Sequence, residues 1–340
     1  MRRAYATVRQ IFLRLRDRPG FWTLVLAGLL AVAVVLGGAL GAANVPLAEL
    51  PAALVDPAHP AYAVLWSVRL PRVVNGALVG AALGVAGALM QAAVRNPLAD
   101  PGLLGVTAGA GLGGLLAIVL RPQHPSLLPV AAFVGGLLAV ATLLTAAWGG
   151  GRVTGPLRIV LSGVAVQAIL FAMISLVTFF FADRAPAFVS FTIGSLNGVG
   201  WDKVLLILGP VVVGCGLALL STRTLNLMLL DDDSAGGVGL AVRRARVGAS
   251  CLAALLAAGA ASVAGLVGFV GLVIPNWVRV LVGPDHRVLL PLCVLGGAAL
   301  VVFADTAARM VAAPLELPVG ALLALVGGPY FLFVLWRKLA

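Results

Sequence analysis

The chain has 340 residues, of which 61% are hydrophobic and 10% charged, with a mean hydropathy of +1.11. That balance excludes a soluble globular domain and indicates a polytopic membrane protein. The net charge of +11 is spread over short segments between apolar runs, which points to membrane topology rather than nucleic acid as its cause.

Arg2, Arg3, Arg9, Arg14, Arg16 and Arg18 precede the apolar run Phe21 to Ala43. This is the charge order of a secretory signal, but the run exceeds the roughly 7 to 15 residues of a cleaved core. It is therefore read as the first span, after a cytoplasmic tail over residues 1–20. A bilayer core of about 30 Å needs about 20 apolar residues per helix. On that ruler ten spans are expected, near 21–43, 64–94, 102–120, 127–148, 157–181, 204–221, 247–265, 268–283, 289–311 and 318–336. The expected fold is all-α, a single transmembrane domain over 21–340. With the N-terminus inside, seventeen of the 23 Arg and Lys residues fall on the inner side, which places both termini in the cytoplasm.

The second span opens at Arg69-Leu70-Pro71-Arg72 and is broken after Gln91 by NPLADPG, residues 96–102. Gly76, Gly80, Gly84, Gly87 and Gln91 are spaced 4, 4, 3 and 4, one stripe of a helix. Such glycines let a neighbouring backbone approach closely in lipid. Two readings of NPLADPG stand: a plain turn between spans, or a bend facing a pathway. It shares Asn-Pro with the NPA motif of water channels, but those need two copies and one is present. Arg69 and Arg72 either snorkel at the outer interface or join Arg309 in a patch for an acidic partner.

Two later segments are longer than topology requires. The outer one, Ala182 to Lys203, is apolar with a Gly-rich end and suits a short helix at the membrane surface. The inner one, residues 222–246, places Leu225, Met228 and Leu229 on one helical face ahead of Asp231, Asp232 and Asp233. An apolar face towards the cytoplasm needs a partner, so this is the candidate docking element.

Catalytic signals are missing from the sequence. A GxxxxGK[ST] loop needs a lysine, and Lys203 and Lys338 do not fit it. His59, His124 and His286 fall in separate segments, so no metal site is expected, and no residue is assigned a catalytic role. Cys215, Cys251 and Cys293 sit singly in apolar runs and read as packed thiols. Asp305 is the one ionisable group deep in a span. It makes either an ion pair with Arg309 four residues on or part of a proton relay.

Taken in order, RLPR (69–72), GALMQ (87–91), NPLADPGLLGVTAGAG (96–111), LSGVAV (161–166), GSLNGVGW (194–201), GLVGFVGLVIPNWVR (265–279), GPDHRVLLP (283–291), ADTAAR (304–309), ELPVG (316–320) and GGPYF (327–331) resemble the FecCD-type permease family. These are membrane subunits of ABC importers for iron-siderophores, haem and vitamin B12. The resemblance implies a type II ABC importer permease in the inner (cytoplasmic) membrane, paired with a second permease, identical or paralogous. It further implies two cytoplasmic ATPase subunits, which would use ATP and Mg, and a periplasmic or lipid-anchored binding protein. This chain itself would bind no cofactor or nucleic acid.

By the same resemblance Arg69, Arg72 and Arg309 dock the binding protein, and Asn96 and Leu98, with Gln91, line the inner gate. The ATPase coupling loop carries Leu225, Asn226, Leu229, Leu230, Asp231, Ala235, Gly239 and Leu240. Three positions depart from the family pattern: Asn276 replaces a histidine after Pro275, the coupling loop lacks the usual LG and ARxLG, and Gly155, Pro156 and Leu157 stand where a second gate often has Ser or Thr. A ferric siderophore is the expected cargo, with haem and cobalamin next. An ion-coupled secondary transporter using Asp305 and an intramembrane enzyme are the alternatives.

Overall fold

A computed structural model describes residues 18–41, 45–148, 156–313 and 315–339. The expected N-terminal tail lies outside the described residues up to residue 17, as does Gly155. Among the described residues the chain is helical, without strands. In order come α1 (Pro19–Ala39), α2 (Leu50–Val55), α3 (Tyr62–Val94), α4 (Val106–Leu120), α5 (Leu127–Trp148), α6 (Pro156–Phe180) and α7 (Ala185–Thr192). There follow α8 (Trp201–Leu220), α9 (Thr222–Leu227), α10 (Asp232–Gly237), α11 (Val242–Ala264), α12 (Val270–Val282), α13 (His286–Val311) and α14 (Val319–Leu339).

Seven of these helices are long and apolar enough to cross a membrane, and α4, α12 and α14 are shorter apolar helices. Each of the ten expected spans is a helix, with ends displaced by no more than five residues. The segment 182–203 contains the short helix α7, while 222–246 holds α9, α10 and the start of α11, which begins at Val242.

α3 is the axis of the fold. From Pro71 to Val94 nearly every residue is buried, and α8, α11, α12 and α13 surround it. The outer helices show why the rest is apolar: Leu24 and Val32 of α1, Leu161 and Phe179 of α6 and Leu205 and Val212 of α8 are exposed, as lipid-facing side chains are. Pro71 is tolerated because it stands in the first turn after a π-helical turn at Leu65–Arg69. The helix ends where Arg95 turns left-handed, φ 54°, ahead of Asn96-Pro97.

The glycine stripe meets backbone. A side chain on Gly80 would fall on the Gly297 carbonyl, one on Gly84 on the Cys293 carbonyl, and one on Gly87 on the Gly271 carbonyl. α13 and α12 thus lie against α3 so closely that no side chain fits between the backbones at these positions. Gly76 differs, since its nearest neighbour is the tip of the Leu196 side chain.

α12 matches its expected span, 268–283, to within two residues and is short. Its 13 residues rise about 20 Å, less than a full crossing. The segment ahead of it is irregular, with Gly265 and Phe269 at φ 69° and 67°. It packs on a second irregular stretch: Ser195 donates to the Ala264 carbonyl at 2.9 Å, and Gly320 to the Gly194 carbonyl at 3.0 Å. Non-helical backbone survives here because its polar groups are paired inside the protein.

Replacing Gly87 with Ala, or Gly80 with Leu, should force α3 off its neighbours and cost about 1–3 kcal/mol. Gly76→Ala should cost less, since only the tip of the Leu196 side chain, 3.3 Å from the new methyl, has to give by a few tenths of an ångström. Thermal melts of the purified, detergent-solubilised protein check this order; equal melting temperatures for Gly76→Ala and Gly87→Ala would contradict it.

Candidate functional site

The arginine-rich end of α3 forms a buried charge cluster. Arg72 grips Asp305 of α13 with two guanidinium nitrogens, Nε to Oδ2 at 2.9 Å and Nη2 to Oδ1 at 3.0 Å, and donates through Nη1 to Glu316 at 2.7 Å. Arg309 lies 3.3 Å from Asp305 through Nε, a charge contact rather than an aligned hydrogen bond, since that nitrogen has no hydrogen-bond partner. Its Nη groups donate to Gly37 and Leu40 carbonyls at the end of α1, 3.2 Å each. Arg69 donates to the Gly38 and Ala39 carbonyls at 2.6 and 2.8 Å, the negative end of the α1 dipole.

The three arginines and Asp305 are all at most 6% exposed, whereas the Glu316 side chain is 33% exposed. The expected docking arginines are therefore drawn together, but beneath the surface, each engaged within the chain. The i,i+4 pairing expected of Asp305 is present and Arg72 adds a second guanidinium, so this carboxylate is held by charge on two sides.

At the opposite end of α3, NPLADPG is bent by its own side chains. Asn96 accepts from the Leu98 N–H at 2.9 Å and Asp100 from the Gly102 N–H at 2.8 Å, two Asx turns. Asn276 of α12 holds the bend, donating to the Pro97 carbonyl at 2.7 Å and to Leu272 at 2.9 Å. Arg279 reaches Gln91 at 2.8 Å and Asn276 at 3.2 Å. Asn276, where the family pattern has histidine, thus fastens α12 to the bend. Gln91, Asn96 and Arg279 also line a cavity of about 350 Å³ shared with Met228 and Leu229; Leu98 is half-buried beside it in sequence.

The segment 222–240 folds back on this end. Leu225, Met228 and Ala235 are buried at 1%, 3% and 1% exposure, while Leu229 and Leu230 are 45% and 42% exposed. The expected free face of Leu225, Met228 and Leu229 is thus corrected: the first two fill the core under the segment, and the outward apolar surface is Leu229, Leu230 and Val238. Asp231 caps α10 by accepting from the Ser234 N–H at 3.1 Å and its hydroxyl at 2.8 Å, and these bonds hold its carboxyl below the usual range. Gly239 turns with φ 86° into Leu240 and α11.

Two ties join the segment to the helices. Asn226 donates to Asp285 at 2.6 Å and accepts from the His286 N–H at 2.8 Å. The Arg287 N–H and the Asn226 amide depress the Asp285 carboxyl. Asp232 takes Arg246 through both oxygens, 2.6 and 2.9 Å, and Arg95 at 3.0 Å. Sequence reasoning missed Arg95, Arg246, Asp232, Arg279 and Glu316 as partners. A helix-start aspartate is a visible signal, but partners 14 and 137 residues away are not.

Comparison with known proteins follows this geometry. Residues 29–337 match the FecCD transport family. The haemin transport permease HmuU of Yersinia pestis is 41% identical, over 81% of this chain and 84% of its own length. The cobalamin import permease BtuC of Halobacterium salinarum is 40% identical over 81% and 74%, and the Fe(3+) dicitrate permease FecD of Escherichia coli 38% over 82% and 87%. Among solved structures, a chain of a metal-chelate type ABC transporter in an inward-facing conformation superposes with a TM-score of 0.82 at 28% identity, covering 93% of this chain and 98% of that one. With these relatives and this helical frame, the chain belongs to the FecCD transport family.

Proposed function

We propose that this permease pairs with a second copy or a paralogue to carry an iron-bearing or cobalt-bearing chelate inward through an ABC importer. A ferric siderophore is the first choice, with haem and cobalamin next. The observation that carries the reading is the family match over nearly the whole chain, with relatives named for haemin, cobalamin, Fe(3+) dicitrate and ferric enterobactin transport.

In this reading the membrane is the cytoplasmic one and both termini are cytoplasmic. ATP and Mg are consumed by two separate ATPase subunits that meet Leu229, Leu230 and Val238, and this chain holds no cofactor. Gln91, Asn96 and Leu98 form the cytoplasmic gate. The proton-relay alternative loses support because Asp305 lies between Arg72 and Arg309, which engage its oxygens within the chain.

A periplasmic or lipid-anchored binding protein docks over Arg69, Arg72 and Arg309. Three guanidiniums face two carboxylates in that cluster, so it carries excess positive charge beneath its outer rim. An acidic side chain from the partner is drawn to the exposed edge where Glu316 now sits.

Uptake of labelled ferric siderophore, haem and cobalamin, measured in cells lacking their own permeases but given this one with its ATPase and binding protein, should show ATP-dependent accumulation of one class. Accumulation without the ATPase would overturn the reading. Arg69→Glu should weaken association with the binding protein by tenfold or more, about 1.4 kcal/mol, while the permease still purifies with its ATPase. Unchanged association would remove Arg69 from the docking surface.

A further inference from the structure

Residues 222–240 are seated on the core by Leu225, Met228 and Ala235. Two polar residues, Asn226 and Asp232, fasten them laterally, and Asp232 is the one that joins two helices by charge. Asp232 opens α10, the helix presented beside the exposed Leu229, Leu230 and Val238. Its carboxylate is bound in a fork by Arg246 of α11, whose side chain is 8% exposed, and by Arg95. Arg95 caps the end of α3 just before Asn96-Pro97, held left-handed at φ 54°, so any shift of its side chain bears on the start of the bend.

The same motion has a rigid path onward. α3 is pressed against α13 at Gly80 and Gly297 with backbone touching backbone, so the two helices cannot slide without separating. α13 in turn receives the second tie, Asn226 to Asp285 and His286. Both ties therefore end on the same closely packed helix pair.

We propose that Asp232 is a positioning residue for transport: it is the joint through which displacement of α10 by the ATPase is passed to Arg95 and the NPL bend, and to α11 through Arg246. The proposal rests on the reading that residues 222–240 touch the ATPase subunit. As an ion pair the Arg95 arm is half-exposed and adds little to stability. Its value lies in geometry, because a carboxylate held by two guanidiniums transmits both push and pull.

The test uses the complete importer, permease with its ATPase and binding protein in proteoliposomes, and reads ATP hydrolysed per chelate transported. In Asp232→Asn, hydrolysis should continue while uptake falls at least tenfold, so the ratio rises by the same factor. Asp232→Glu should restore the ratio to within about threefold of wild type, a rescue that loss of folding would not show. Arg95→Gln, at a more exposed site with Arg246 still gripping Asp232, keeps the test open should Asp232→Asn fail to assemble. It should raise the ratio at least threefold.

A wild-type ratio in Arg95→Gln, together with a wild-type ratio or a failure to assemble in Asp232→Asn, would overturn the joint while leaving the importer reading intact. Failure of the unmutated permease to bind any ATPase would overturn that reading and the joint with it.

Discussion

The contact of α3 with α13 and α12 through bare backbone governs the rest of the fold. In lipid, apolar surface gains little by being hidden from a solvent that is itself apolar, so helices adhere by close fit. Gly80, Gly84 and Gly87 remove the side chains that would hold α3 away from Gly297, Cys293 and Gly271. The result is a three-helix unit stiffer than any one of its helices alone, with the peripheral helices arranged round it and turned to lipid.

Charge is kept to the two ends of that unit. At one end Arg69, Arg72 and Arg309 are satisfied by Asp305, Glu316 and the last carbonyls of α1. At the other, Asp232, Asp285, Arg246 and Arg279 are engaged by side chains of α11, α9, α10 and α3 in turn. Polar groups withdrawn from water need partners of this quality. A stiff unit with engaged charge at each end suits the proposed function, in which partners act on opposite faces.

Much of this was legible in the chain itself. The ten helices follow from apolar run length, and the Gly76 to Gly87 stripe from spacing alone, because both depend on neighbours close in sequence. The pairing of Asp305 with Arg309, four residues apart, was legible for the same reason. Arg72 with Asp305 was not, since 233 residues separate them, and neither was Arg95 with Asp232. The inward turn of Leu225 and Met228 escaped amphipathic reading because periodicity reports that a helix has an apolar face, not which way the face points. The shortness of α12 was legible as well, in an expected run of only 268–283; the left-handed backbone at Gly265 and Phe269 ahead of it was not.

The separation of Arg72 from its carboxylates also bears on how the chain is made. Arg69 and Arg72 enter with the second span, but Asp305 and Glu316 are synthesised 233 and 244 residues after Arg72. Arg69 finds its carbonyls on α1, which precedes it in the chain, but the carboxylates that surround Arg72 come only with α13 and the residues after it, and burying its guanidinium without them would leave an unpaired charge. The last helices thus supply the charge that one of the first requires.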